Sequence, residues 1–255
     1  MNQATPSPTE RTMAERIRRV RQEPRRRHVQ VLRVEELSPH MRSITFGGDD
    51  LAHFASHAFD DHVKIFLPVP EGSAAIARDY TPRRFDADKR ELCIEFALHG
   101  DGPAARWARA AQPGDRLTVG GPRGSFILPD DLHWYLLVGD SSSLPAILRR
   151  LEELPVSAPV QAIVQMDASD QRALPQAAQG RLKWVSSAAD CREAVQAWKP
   201  LSAEGFAWCA GEASEMRELR RLLVEDKGVD RQAVRAAAYW KRGTPSHHEM
   251  LEDAR

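Results

Sequence analysis

Arg78, Tyr80 and Thr81 place a guanidinium, an aromatic face and a hydroxyl within four positions. In an extended segment alternate side chains share a face, so Arg78 and Tyr80 point the same way and Thr81 lies beside them. Such a set suits a ligand with a phosphate at one end and a flat ring at the other. Arginine holds a phosphate through two parallel hydrogen bonds, tyrosine stacks, and threonine donates or accepts at a ring nitrogen. The surrounding run, Arg78-Asp79-Tyr80-Thr81-Pro82-Arg83-Arg84-Phe85-Asp86, also reads as an edge strand ended by Pro82, with its arginines in water.

A second run tips that balance. His99-Gly100-Asp101-Gly102-Pro103-Ala104-Ala105-Arg106-Trp107-Ala108 follows a strand-like segment and opens a helix. Pro103 suits a first helical turn, where its missing N–H costs nothing. Backbone N–H groups at Gly102, Ala104 and Ala105 would point out of the helix start, which favours an anion. Alone this is a small-residue turn; one strand after Arg78-x-Tyr80-Thr81 it supplies the other half of a pyrophosphate clamp. Trp107 reads more readily as core than as a wall for an adenine.

These runs need a scaffold. Short alternating segments at 28–35, 41–46, 62–67, 91–98 and 116–119, punctuated by Gly47-Gly48-Asp49-Asp50 and Gly120-Gly121-Pro122, predict an antiparallel barrel or sandwich. After Pro129 the pattern changes. Continuous apolar runs at 134–138, 160–164, 182–185, 206–209 and 233–239, separated by helical segments, predict a parallel sheet covered on both faces. Ligands bind such sheets at the strands' carboxyl ends, where Gly139–Pro145 and Ala210-Gly211-Glu212 fall. There is no Gly-x-Gly-x-x-Gly fingerprint. The division expected is a basic flexible arm over 1–27, a barrel over 28–131 and an α/β domain with a C-terminal tail over 132–255.

Composition agrees. The 255 residues carry 36 Lys and Arg against 36 Asp and Glu, which argues against a nucleic-acid partner despite the arginine-rich start. A short helix is expected at 13–21 within that start. No stretch approaches the roughly 20 apolar residues of a membrane span, and no apolar leader opens the chain. Cys93, Cys191 and Cys209 give neither a disulfide framework nor a metal spacing. His53, His57, His62, His99 and His133 make no ligand pattern, so no protein metal site is predicted. A cytoplasmic monomer is the expectation.

The ordered set of motifs resembles the siderophore-interacting protein family of FAD-dependent ferric-siderophore reductases, within the ferredoxin–NADP reductase superfamily. The pieces are the two runs above, Gly121-Pro122-Arg123-Gly124-Ser125, Gly139-Asp140 with Leu144-Pro145-Ala146-Ile147, Trp208-Cys209-Ala210-Gly211-Glu212, and Tyr239-Trp240-Lys241-Arg242-Gly243. Residues 1–27 lie outside it. Ser141-Ser142-Ser143 departs from the family pattern, in which an acidic residue followed by Thr or Ala is expected.

The resemblance implies that Arg78 holds the FAD pyrophosphate, Tyr80 lies along the flavin or its ribityl chain, and Thr81 approaches the ring near N5. Gly102, Pro103 and Ala104 would cradle the phosphates, with His99 at the head of the same motif counted among the cofactor contacts. Asp140 would sit near the nicotinamide ribose, and Gly211 and Glu212 would line the nicotinamide channel. The expected activity is hydride transfer from NADPH or NADH to FAD, then electron transfer to a ferric siderophore or chelate. The cofactor carries the chemistry, so no protein acid, base or nucleophile is required. Arg172 favours NADPH, as a partner for a 2′-phosphate, whereas Asp167 and Asp170 on the same loop would suit a free ribose hydroxyl. Lys64, Arg123, Lys241 and Arg242 are the expected cationic bowl for an anionic ferric chelate. Two alternatives stand beside this reading: a flavin- or siderophore-binding protein without turnover, and a reductase module feeding a separate protein.

Overall fold

The computed structural model describes residues 12–70, 72, 74–244 and 249–251. The first domain is one antiparallel sheet of β2 (Arg26–Ser38), β3 (Met41–Gly47), β4 (Val63–Leu67), β5 (Ile76–Tyr80), β6 (Arg84–Asp86), β7 (Glu91–Ala97) and β8 (Arg116–Gly120). Its order is β5-β4-β8-β2-β3-β7-β6. The alternation read from the sequence is what curls it. Val29, Val31, Ile44, Phe46, Val63, Ile65, Leu92, Ile94, Phe96, Leu117 and Val119 all face one core. Helix α2 (Pro103–Ala110) closes that core with Ala104 and Ala108. Trp107 packs there too, 6.2 Å from Phe46 and 5.9 Å from Phe96 between ring centroids, as the core reading had it.

The second domain has the sheet order β12-β11-β10-β13-β14-β15. Strands β10 (Tyr135–Asp140), β11 (Val160–Gln165), β12 (Leu182–Val185), β13 (Phe206–Glu212) and β14 (Val234–Trp240) run parallel, and β15 (Glu249–Leu251) is antiparallel at the edge. Helices α3 (Leu144–Glu153), α4 (Ala188–Ala197) and α5 (Ala213–Arg221) cross over between them. Chain order reverses between β10 and β13, so the two strands part at their carboxyl ends and leave a crevice there. Every residue of β13 is buried, as a strand covered on both faces requires.

From residue 12 the basic segment is not a free tail. The helix expected over 13–21 is a single turn, α1 (Met13–Arg16), closed by a capping box between Thr12 and Glu15. Arg18–Arg21 instead form β1, paired antiparallel with β9 (Gly124–Ile127). Gly124 permits the approach, since a Cβ there would lie 2.5 Å from the Val20 carbonyl oxygen. Residues 1–11 lie outside the described set.

Charged side chains join the two domains. The Arg83 guanidinium, 3% exposed, donates to both oxygens of Glu152 on α3 at 2.7 and 2.8 Å and lies 3.2 Å from Glu95. Arg235 lies 2.9 Å from buried Asp60, and Arg149 donates to the Ser56 hydroxyl and carbonyl and to the Pro82 carbonyl. Buried ions of this kind persist only when paired.

Candidate functional site

Strand β5 is fixed by its register on β4, with Tyr80 opposite Val63 and Arg78 opposite Ile65. Val63 and Ile65 are fully buried, so Arg78 and Tyr80 share the inner face, as the alternation predicts. The Tyr80 ring lies 4.4 Å from that of Phe96. Burial, opposed by Arg78, pushes the Tyr80 phenol well above its ordinary range and keeps it neutral. Arg78 donates to the Ala77 carbonyl at 2.8 Å and has no carboxylate at ion-pair distance among the described residues. Its charge is therefore open to an anion.

Helix α2 starts at Pro103 with Gly102 as N-cap, and no side chain caps it. A Cβ on Gly102 would meet nothing within 4 Å, so the helix start faces open space. The uncapped helix start offers backbone N–H groups and Arg78 an unpaired guanidinium, and each is a feature that suits a phosphate.

The second half of the site forms where β10 and β13 part. A Cβ on Gly139 would lie 1.9 Å from the Ser143 hydroxyl, so only glycine allows the turn to fold back. The Asp140 carboxylate accepts the Ser142 N–H and hydroxyl on one oxygen. Its other oxygen accepts the Glu212 N–H at 3.1 Å and the Trp240 indole N–H at 2.8 Å. Glu212 caps α5 by accepting from Ser214 and Glu215, and takes the Arg242 N–H at 3.3 Å. Desolvation raises the Glu212 pKa, but these bonds outweigh it and hold the carboxyl at about 2. Gly211 is tied to the same contact, because a Cβ there would lie 2.6 Å from Asp140 Oδ2. Asp140, Gly211 and Glu212 thus sit together at the crevice, with both carboxylates spent on holding its walls.

Two contacts close one half-site on the other. The hydroxyl of Thr81, 7% exposed, faces the Tyr239 phenol at the end of β14 and opposes the burial that raises its pKa. His99 Nε2 bonds the Ser141 hydroxyl. That bond uses the serine at which the sequence departs from the family pattern.

The cations divide into two groups. Lys64 points to the outer face of β4, away from Arg78 and Tyr80, and its ammonium lies 2.9 Å from both oxygens of Asp79. Arg123 is exposed in the turn that follows Gly120, the residue opposite Lys64. Lys241 and Arg242 are exposed just beyond β14, beside Glu212 and Trp240. Lys64 enters any bowl already neutralised.

The loop after β11 differs from expectation. Arg172 lies 2.6 Å from Glu95, with its side chain 14% exposed, and serves as a strut to the first domain. Asp170 accepts from the Ser38 hydroxyl and the His40 N–H, both at 2.8 Å. Asp167 caps its own turn through Ser169. Arg172 and Asp170 are taken by these partners, while Asp167 spends one carboxylate oxygen on its own turn. Sequence reasoning missed the Arg83, Glu95 and Glu152 cluster, since the pairing of Arg83 with Glu152 across 69 residues leaves no local signal.

A family model described as siderophore-interacting FAD-binding domain matches residues 30–75 and 68–126, and one described as siderophore-interacting protein matches residues 132–243. The chain belongs to the siderophore-interacting protein family. Among its relatives is the NADPH-dependent ferric-chelate reductase of Escherichia coli (strain K12), 39% identical over 87% of this chain and 95% of that one. The ferric vibriobactin reductase of Vibrio cholerae is 30% identical over 86% of this chain and 91% of that one. Among solved structures, a siderophore utilization protein from T. fusca superposes with a TM-score of 0.83 at 33% identity, covering 91% of this chain and 98% of that one. The siderophore-interacting protein therefore has the two-domain fold of FAD- and nicotinamide-binding reductases. No helix among its described residues is long and apolar enough to cross a membrane.

Proposed function

We propose that this siderophore-interacting protein is an NADPH-dependent, FAD-containing reductase whose substrate is a ferric siderophore or other ferric chelate. The observation that carries the reading is the meeting of two half-sites. The His99–Ser141 bond, with Thr81 facing Tyr239, brings the Arg78–Thr81 segment and the loop before α2 against the carboxyl ends of β10 and β14. The ferric reductase names of its relatives support the choice of reductant and substrate.

The residues present fit FAD. Unpaired Arg78 and the open start of α2 at Gly102, Pro103 and Ala104 would hold its pyrophosphate, and Tyr80, kept neutral and fixed on Phe96, would line its ring. FAD, when bound, takes hydride from a nicotinamide and passes single electrons to ferric iron. The protein's part is to hold and orient. Asp140 fixes the Ser141–Ser143 turn, the Glu212 backbone and the Trp240 ring around the crevice where a nicotinamide would enter. Arg123, Lys241 and Arg242 offer exposed positive charge to an anionic chelate. Reduction weakens the hold of hard oxygen ligands on iron, which frees it from the chelator.

The test is steady-state turnover with a ferrous-specific dye. Dye-bound ferrous iron should accumulate only when protein, FAD, NADPH and ferric chelate are all present. Equal accumulation without the protein, or none with it, overturns the assignment.

A further inference from the structure

Residues 12–21 precede the first residue matched by the family models, and they touch both domains. The helical turn α1 sits on the nicotinamide-side domain, where Met13 and Ile17 pack against the apolar core. The Arg16 guanidinium, its side chain 9% exposed, lies 2.5 Å from Asp131 and 3.6 Å from Glu204. Asp131 leads into β10 and Glu204 into β13, and α1 also packs on the turn Arg231–Ala233, which leads into β14. One short turn thus clamps the amino ends of three adjacent strands, β10, β13 and β14. The carboxyl ends of the same strands carry Asp140, Glu212 and Trp240.

The segment then crosses to the flavin-side domain. β1 pairs with β9, and the Gln22 N–H donates to the Arg123 carbonyl at 2.9 Å before β2 enters the first sheet. Arg19 lies opposite Phe126 in that pairing, with its guanidinium 5.2 Å from the ring centre. The Arg235 guanidinium of β14 lies 4.1 Å from the same ring centre and 2.9 Å from Asp60. An aromatic ring attracts a guanidinium electrostatically, so Phe126 draws β1 and β14 together. Arg235 is the register partner of Trp208, whose ring centroid lies 5.3 Å from that of Phe59 and 6.2 Å from that of Tyr239. Tyr239 in turn faces Thr81. Packed side chains therefore run without a break from Arg19 through Phe126, Arg235 and Trp208 to Tyr239.

Two bodies joined along one line still rotate about it. Arg83 with Glu152, and Arg149 with Ser56 and Pro82, join the domains along α3. The Asp60–Arg235 pair, backed by β1 and α1, joins them along β14. An arginine-rich chain start is ordinarily solvated. The buried Arg16 and the Arg19–Phe126 contact show one that is docked.

We propose that residues 12–21 are a positioning strap that fixes β14, and with it Tyr239 and Trp240, against the Thr81 segment, and so sets the crevice for hydride transfer. Its effect on hydride transfer rests on the reductase reading above; its hold on β14 does not.

The test compares wild type with the double variant Arg16→Ala and Arg19→Ala by amide hydrogen exchange and by stopped-flow absorbance. Exchange in residues 234–240 should quicken by about tenfold, as local opening becomes easier, while residues 160–165 of β11 exchange as in wild type. FAD content should stay the same, and bleaching of the flavin by NADPH should slow by about tenfold, since small misplacements at a reacting centre are costly. The pair Arg16→Lys with Arg19→Lys should restore most of both readings, because it keeps the charge for Asp131 and for the Phe126 ring. Arg19→Ala alone leaves the Arg16 contacts in place and serves for the same readings if the double variant does not fold. Faster exchange confined to residues 12–22 and 124–127, an equal rise in residues 160–165, bleaching as fast as in wild type, or Lys variants as impaired as the Ala variants would overturn the strap. Exchange needs no turnover, so the two readings fail separately: a wild-type flavin that NADPH does not bleach defeats the reductase reading, and unchanged exchange in residues 234–240 defeats the strap.

Discussion

Arg83, which follows the Arg78–Thr81 run, grips Glu152 of the nicotinamide-side helix α3 with two bonds, at 2.7 and 2.8 Å. Burial opposes the charge on Glu152, but the bonds from Arg83 and Arg84 outweigh it and hold the carboxyl at about 2. A carboxyl with a depressed folded pKa stabilises the fold above its unfolded value, and the contribution fades as pH falls through the folded value. The Arg83–Glu152 contribution should therefore be intact above pH ~4.3 and disappear towards pH ~2. Glu152→Gln should cost roughly 1–3 kcal/mol at neutral pH, and acid unfolding curves of variant and wild type should converge near the lower limit. Curves that stay parallel throughout would contradict this.

Arg78→Ala should weaken FAD binding by about tenfold to a hundredfold, the loss of a charge-assisted contact worth about 1.5–3 kcal/mol. Arg78→Lys should recover only part, because the fork is gone. Equilibrium dialysis of FAD checks it, and an affinity equal to wild type in the Ala variant rejects the pyrophosphate role.

Asp140→Ala should slow bleaching of the flavin by NADPH by about tenfold to a hundredfold while FAD content stays the same. The reason is that one carboxylate holds the Ser142, Glu212 and Trp240 groups that shape the crevice. Stopped-flow absorbance reads the rate, and a variant as fast as wild type shows that the crevice does not need this latch.

Much of this was legible beforehand. Two-residue alternation placed Arg78 and Tyr80 on one face, and Gly102-Pro103 marked the start of α2, because those signals are local. The switch from alternating to continuous apolar runs after Pro129 matches the change from antiparallel strands up to β9 to parallel strands from β10. What stayed hidden were pairings set by tertiary contact. Arg172 read as a free loop charge until the first domain brought Glu95 to 2.6 Å. Lys64 read as a free cation until strand register placed Asp79 opposite it. Arg18–Arg21 read as helix or tail, and only the close passage of Gly124 turns it into a strand.

Arg172→Ala should accordingly leave the ratio of NADPH to NADH reduction rates unchanged and lower the melting temperature, by roughly 2–10 °C for a loss of about 1–3 kcal/mol. A switch in nucleotide preference would return Arg172 to the nucleotide site.

Arg123→Ala and Lys241→Ala should each reduce turnover of an anionic ferric chelate more than of a neutral one. The gap should narrow with salt, since exposed charges are screened over about 8–10 Å at physiological ionic strength. Lys64→Ala should have a smaller effect than either, because its ammonium already faces Asp79 at 2.9 Å. Equal effects on both chelates would remove these residues from substrate attraction.

The central claim is that electrons pass from NADPH through bound FAD to chelated ferric iron. Double-mixing absorbance spectroscopy under argon tests it on the FAD-loaded protein. NADPH in the first mix should bleach the yellow absorbance of the flavin. An anionic ferric chelate in the second mix should restore it, with ferrous iron appearing on a trapping dye in step with the recovery. A flavin that NADPH leaves yellow, or a bleached flavin that the ferric chelate does not recolour, would contradict the account.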